Sequence, residues 1–164
     1  DFYCKGLDLL IESFKTVKNN FPEAKLYILG RWKVKKEWVT EGVYFKGEQN
    51  IIPYLKKCSL SVHLGRGESF GINVLESMLA GVPIIVSVNT GAKDVVAKAD
   101  KNMVLPLKKE VIFNKIHNYF NLNLRKKKEL SKKNRNIARE FNEKKMLKYF
   151  KEQFQDLIRE IYQK

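Results

Sequence analysis

The chain has 164 residues, 44% hydrophobic and 30% charged, which suits one soluble globular domain with a real core and excludes a disordered or membrane-spanning chain. Its 32 Lys and Arg against 18 Asp and Glu give a net charge of +14, with sixteen basic residues against four Glu between Lys101 and Lys151. Such a field attracts anions (nucleotides, nucleic acid, acidic lipid headgroups) without choosing among them. Cys4 and Cys58 are too few and too far apart for a disulfide framework or a zinc site, and read as isolated thiols in a reducing compartment. No apolar run approaches the roughly 20 residues of a spanning helix, and nothing resembles a signal peptide. The start at Asp-Phe-Tyr-Cys, without Met, reads as a piece of a longer protein.

In chain order, residues 6–20 carry Leu7, Leu10, Ile11, Phe14 and Val17 at helical spacing, so the first element is an amphipathic helix that ends at Phe21-Pro22. Residues 24–29 form an apolar strand stopped by Gly30. Residues 31–41 have no clear period and read as a loop with one helical turn at most, Trp32 and Trp38 being packing lids over it. A short strand at 43–46 leads through a turn at 47–50 into a short helix ending near Lys57. Residues 60–64 form a buried strand, followed by a loop broken by Gly65, Gly67 and Gly71 and a helix beginning near Gly71. A second buried strand follows at 84–88, then a helix at 91–98 and a last strand at 103–105. From 108 onward the pattern is helical, at 108–120, 125–140 and 142–164. The final helix aligns Leu147, Phe150, Phe154, Leu157, Ile158 and Ile161 on one face, which predicts that it docks on something.

Short apolar strands alternating with helices predict an α/β, Rossmann-like doubly wound parallel sheet with helices on both faces and a helical C-terminal extension. One domain over 1–164 is expected, its core at about 1–107 and the extension at about 108–164. Ligands on such sheets bind beyond the carboxyl ends of the strands. The glycine-marked ends near Gly30, Gly47 and Gly91 therefore converge on one crevice with the Glu68 loop. Glycines there let backbone approach a ligand, and the helix after Gly71 turns unpaired N–H groups and a positive dipole end toward it, which suits phosphate or sugar oxygens.

The segments KGLDLLIESF, LYILG, VYFKG and GESFGINVLESMLAGVPIIVS, with a Gly91-x-x-Asp94 turn, resemble the C-terminal domain of retaining GT-B glycosyltransferases of family four. Mannosyltransferases acting on lipid- or polyprenol-linked acceptors are the nearest in pattern, and the resemblance covers Lys5 to about Leu107. It implies a domain that holds a nucleotide-sugar donor, GDP-mannose or a UDP-hexose. A separate N-terminal domain, absent from this chain, would hold the glycan or lipid-linked acceptor. By the resemblance, Glu68 bonds the donor sugar hydroxyls and Lys5 neutralises the diphosphate leaving group; these two are the candidate catalytic residues. Phe70, Gly71 and Ile72, with Gly67 in the same loop, meet the sugar and distal phosphate; Glu76 takes the two ribose hydroxyls; Gly47, Glu48 and Gln49 form the turn against which the base packs. The companion Arg of Lys5 would fall just before Asp1.

The sequence departs from that pattern where the family has Pro-Ser near His63-Leu64, two glycines at Thr90-Gly91, and Glu where Asp94 stands, which bears on sugar selection. It has no Asp-x-Asp metal motif, and the resemblance implies metal-independent chemistry without a cofactor. It implies front-face attack with retention, the leaving phosphate taking the acceptor proton. The expected setting is cytoplasmic and peripheral at the inner face of the cell membrane, with nucleic acid not an expected partner.

Blander readings stand beside these. Glu68 and Glu76 also fit solvated carboxylates, and Lys5 sits at a helix start where the dipole disfavours a cation. His63 fits a satisfied core histidine or a pocket residue; His117 fits a structural one. Arg66 fits an exposed side chain or a phosphate contact. The run from Arg125 to Lys133 fits a solvated face or an anionic membrane surface. The competing functions are a non-catalytic polyanion-binding or nucleic-acid-binding module, carried only by the charge, and a sugar-nucleotide epimerase domain, which needs a histidine and carboxylates from another domain.

Overall fold

The computed structural model describes residues 2–162. Helix α1 (Leu7–Asn20) buries Leu10, Ile11, Phe14 and Val17, the stripe expected from their spacing. Strand β1 (Leu26–Ile28) runs parallel to β2 (Val43–Phe45), with Leu26 opposite Val43. The loop between them carries one 3-10 turn, Lys36–Trp38. There Trp38 stacks on Phe2 with planes 4° apart, and Trp32 meets the edge of the same ring, so both tryptophans are packing lids as expected. Helix α2 (Ile52–Leu55) leads to β3 (Ser61–His63), α3 (Ile72–Leu79), β4 (Ile84–Ser87), α4 (Lys93–Asp100) and β5 (Val104–Leu105). Helices α5 (Lys109–Phe120), α6 (Leu124–Ala138) and α7 (Glu143–Tyr162) close the chain. The last two positions of the helix expected over 142–164 lie outside the described residues.

Every ladder is parallel: β3 pairs with β4, Ser61 opposite Ile84, and β4 pairs with β5, Ser87 opposite Leu105. All four residues of β4 are buried, as a strand covered on both faces must be. Helices flank the sheets in two packed groups, α1 with α5, and α3 and α4 with α6. The molecule is thus an α/β structure with parallel sheets between helical layers.

Two features differ from expectation. The ladder is divided, β1–β2 standing apart from β3–β4–β5. Leu26, Ile28 and Val62 line a cleft of about 360 Å³ between the two parts, where strands of three residues leave few ladder bonds to close the gap. And α7 docks on nothing within the described chain: every residue of it is exposed, including Leu147, Phe150, Phe154 and Ile161. The core lies against α1, α5 and α6, whose Val17, Ile112, Ile116 and Ala138 belong to it, and no described residue of α7 joins it.

Candidate functional site

The N-terminal turn, the β3–α3 loop and the β4–α4 loop meet at the carboxyl end of the three-stranded sheet. Gly6 makes the first approach possible. It sits at φ 69°, and a Cβ there would lie 2.1 Å from the Leu64 carbonyl oxygen. The Arg66 N–H donates to the Cys4 carbonyl at 2.8 Å, tying the loop to the turn. Gly91 makes the second approach, since a Cβ would lie 1.8 Å from the Ser69 carbonyl oxygen. Its N–H donates to the Glu68 carbonyl at 2.9 Å, and the Glu68 N–H donates to the Asn89 carbonyl at 3.2 Å. Thr90 is buried beside it, its hydroxyl 3.0 Å from Ser87 Oγ, so this departure from a glycine pair serves packing.

Within this frame the Lys5 ammonium ion-pairs with the Glu68 carboxylate. The hydrogen bond from Lys5 holds the Glu68 carboxyl below the usual carboxylate range, more than its partial burial raises it. The two candidate catalytic residues are therefore brought together. Glu68 is the more enclosed, its side chain 18% exposed against 46% for Lys5. Phe70 and Ile72 are exposed around Gly71, which caps α3 at φ 86°. Glu76 is exposed on α3, one turn beyond Asn73 on the same face. Gly67 has open space where a Cβ would stand.

The turn after β2 lies elsewhere on the rim. Gly47 accepts the Gly30 N–H at 2.7 Å, joining the ends of β1 and β2, while Glu48 pairs with Arg31, both side chains exposed. Gln49 lines a separate cleft of about 410 Å³ with Tyr27, Lys46 and Tyr54. Lys5, Trp32, His63 and Asn73 line the mouth of the cleft between the sheets.

The structure decides the readings left open for Arg66 and His63 and bears out the structural one for His117. Arg66 is neither solvated nor aimed at a ligand: its guanidinium takes both carboxylate oxygens of Asp8 at 2.8 and 2.7 Å and lies over the Tyr3 ring. Burial raises the Asp8 carboxyl, but Arg66 outweighs it and leaves the group below its ordinary value. No local signal could reveal this pair, whose members are 58 residues apart. His63 is buried, with Nδ1 3.1 Å from the Asn73 amide nitrogen, and Nε2 has no hydrogen-bond partner. His117 packs between Phe21 and Phe113, a structural role. Among the described residues no group of three or more His, Cys, Asp or Glu side chains is placed to hold a metal ion, and no helix is long and apolar enough to cross a membrane.

Comparison with known proteins bears on this arrangement. The chain is 29% identical over 106 residues to the mannosylfructose-phosphate synthase of Agrobacterium fabrum, covering 53% of this chain and 23% of that protein. It superposes on WaaG, a glycosyltransferase involved in lipopolysaccharide biosynthesis, with a TM-score of 0.74 at 22% identity, covering 87% of this chain and 41% of that one. For the sucrose-phosphate synthase of Thermosynechococcus elongatus the TM-score is 0.75 at 19% identity, covering 95% and 43%. The chain spans less than half the length of each of these relatives. The family described as "Glycosyl transferases group 1" matches residues 2–141, so by its fold and by most of its sequence the chain belongs to that family of GT-B glycosyltransferases.

Proposed function

We propose that this chain is the donor half of a retaining hexosyltransferase. In this reading it binds a nucleotide-diphosphate sugar, GDP-mannose or a UDP-hexose, for transfer to a glycan or lipid-linked acceptor carried by a second domain. The observation that carries the reading is the Lys5–Glu68 pair at the carboxyl end of a parallel sheet, where ligands of such sheets bind. The family membership and the likeness to a mannosylfructose-phosphate synthase support it.

The assigned chemistry follows from the side chains. Breaking the sugar–phosphate bond gathers negative charge on the diphosphate and positive charge on the sugar ring. Lys5, once a bound diphosphate has drawn it from Glu68, and the N–H groups opening α3 set positive charge against the departing phosphate before charge develops there. Glu68 accepts hydrogen bonds from sugar hydroxyls, and Glu76, exposed on α3, accepts two from the ribose. Gly67, Gly71, Phe70 and Ile72 border the sugar and distal phosphate, and the turn at 47–49 borders the base. The leaving phosphate takes the acceptor proton, with retention by front-face attack and without a metal ion. At the inner face of the cell membrane, the exposed Lys126, Lys128, Lys132 and Lys133 of α6 meet anionic lipid.

Calorimetric titration of the 164-residue chain with GDP, UDP and ADP, each with and without its hexose, tests the reading. Selective binding of one base, strengthened by the sugar, is the expected result. Binding that ignores the base and collapses with salt would instead mark a polyanion-binding module.

A further inference from the structure

We infer that His63 is a positioning residue for Glu68: its Nε2–H takes over the Glu68 carboxylate when a diphosphate draws Lys5 away. The inference deepens the donor reading and rests on it.

His63 ends β3 with only 8% of its surface exposed. The Asn73 amide nitrogen lies 3.1 Å from its Nδ1. An amide nitrogen only donates, so Nδ1 accepts and the proton of the neutral ring sits on Nε2. Burial pushes the imidazole below its ordinary pKa, against the pull of Glu68, so the ring is a neutral donor at neutral pH. That donor is buried and without a partner, which is uncommon for a native polar group and calls for a reason. It faces one carboxylate oxygen, Glu68 Oε2, at 3.7 Å, beyond hydrogen-bond range. Gly65 is what gives the two side chains room: a Cβ there would sit 3.1 Å from Glu68 Cβ and 3.3 Å from His63 Nε2.

In the ligand-free molecule Lys5 and Glu68 satisfy each other. The donor reading gives each a different target, phosphate for Lys5 and sugar hydroxyls for Glu68, so binding has to part them. A partly enclosed carboxylate that loses its cation needs another donor, and the idle Nε2–H needs an acceptor. A closing movement of about 0.9 Å, from 3.7 Å to ordinary hydrogen-bond length, satisfies both. Glu68 then stays oriented toward the sugar while its second oxygen remains open to hydroxyls. Diphosphate binding thus prepares the sugar site.

The test uses the whole chain with ¹⁵N-labelled histidine. It has two histidines, His63 and His117, so His63→Gln assigns the signals. On saturation with GDP or UDP, whichever binds by calorimetry, the His63 Nε2–H proton is expected to move downfield, as a proton bonded to a carboxylate does, and Glu68→Ala abolishes the shift at saturating diphosphate. His63→Leu is expected to lower the preference for sugar nucleotide over bare diphosphate about tenfold, the scale of one hydrogen bond to a charged group. His63→Gln, which keeps a donor near the Nε2 position, restores it. If the diphosphate binds and the His63 signal stays in place, the inference is overturned and the donor reading stands. A folded His63→Leu that keeps the wild-type preference overturns it as well. If neither GDP, UDP nor ADP binds, the donor reading fails and takes this inference with it. Should His63→Leu fail to fold, the wild-type spectra decide alone.

Discussion

Arg66, in the glycine-broken loop, grips Asp8, in the first turn of α1, through both guanidinium nitrogens at 2.8 and 2.7 Å. The same guanidinium lies 3.7 Å from the centre of the Tyr3 ring. One side chain therefore locks the N-terminal turn that carries Lys5 against the loop that carries Glu68. Both partners are largely shielded, at 21% and 31% exposure, so the pair is worth more than a surface ion pair.

Arg66→Met is expected to cost about 1–3 kcal/mol, since it leaves a partly buried carboxylate without its donor. Arg66→Lys should recover little, because an ammonium neither forks onto a carboxylate nor stacks on a ring as guanidinium does. Urea unfolding of the three proteins measures both differences. A lysine variant as stable as the wild type would show that charge alone suffices.

The glycines of the site separate fold from function. Gly6→Ala and Gly91→Ala should each cost more than about 3 kcal/mol or prevent folding, because the new methyl overlaps backbone oxygen at 2.1 and 1.8 Å. Gly67→Ala meets nothing and should stay within about 0.5 kcal/mol of wild type in stability. Under the donor reading it should nevertheless weaken sugar-nucleotide binding. Thermal melts paired with calorimetry distinguish the two classes.

Glu76→Ala should weaken nucleoside diphosphates by about 1–3 kcal/mol, the ribose losing a charged acceptor. Glu68→Ala should weaken the sugar-bearing donor but not the bare diphosphate, which no longer has to draw Lys5 from a carboxylate. Calorimetry with both ligands on both variants reads the pattern. Equal losses throughout would remove the assigned roles.

Stability should fall on acidification in two windows. His63 has its pKa lowered in the fold, so below about pH 6.5, the ordinary imidazole value, the unfolded chain takes up a proton that the folded chain refuses. Asp8 and Glu68 are also lowered, and their contribution, present above their ordinary values of 3.8 and 4.5, is lost as pH falls through their folded values. Urea midpoints from pH 7 to pH 3 should show both declines. His63→Gln should flatten the first and leave the second.

Helix α6 offers a test of the membrane contact. Lys127 is occupied within the fold, donating to the Phe120 carbonyl at 2.8 Å over the Tyr119 ring. The exposed lysines of α6 are Lys126, Lys128, Lys132 and Lys133, each worth about 1 kcal/mol near an anionic surface. Changing these four to Gln should abolish sedimentation with anionic vesicles at low salt and leave the weak partition onto neutral vesicles unchanged. Equal sedimentation of both proteins would make the cluster a solvated face.

Periodicity was enough for the elements. The stripe Leu10, Ile11, Phe14 and Val17 could only be a helix face, and Ile84 to Ser87 could only be a buried strand, because local spacing and burial are coupled in a regular backbone. The crevice was legible in part: the Gly91 end meets the Glu68 loop, whereas the Gly30 and Gly47 ends join each other on the separate β1–β2 ladder and lie elsewhere on the rim. What lies across the sequence was not. Arg66 with Asp8, Lys5 with Glu68, and His63 with Asn73 and Glu68 are pairings between separate elements, and charge or hydrogen-bonding capacity alone leaves each residue several partners. Only the packed loops, pressed together where Gly6, Gly65 and Gly91 lack side chains, chose among them. The apolar face of α7 is the converse case: its spacing dictates a helix, but whether an apolar stripe is covered depends on the surfaces around it, and here the stripe stays exposed.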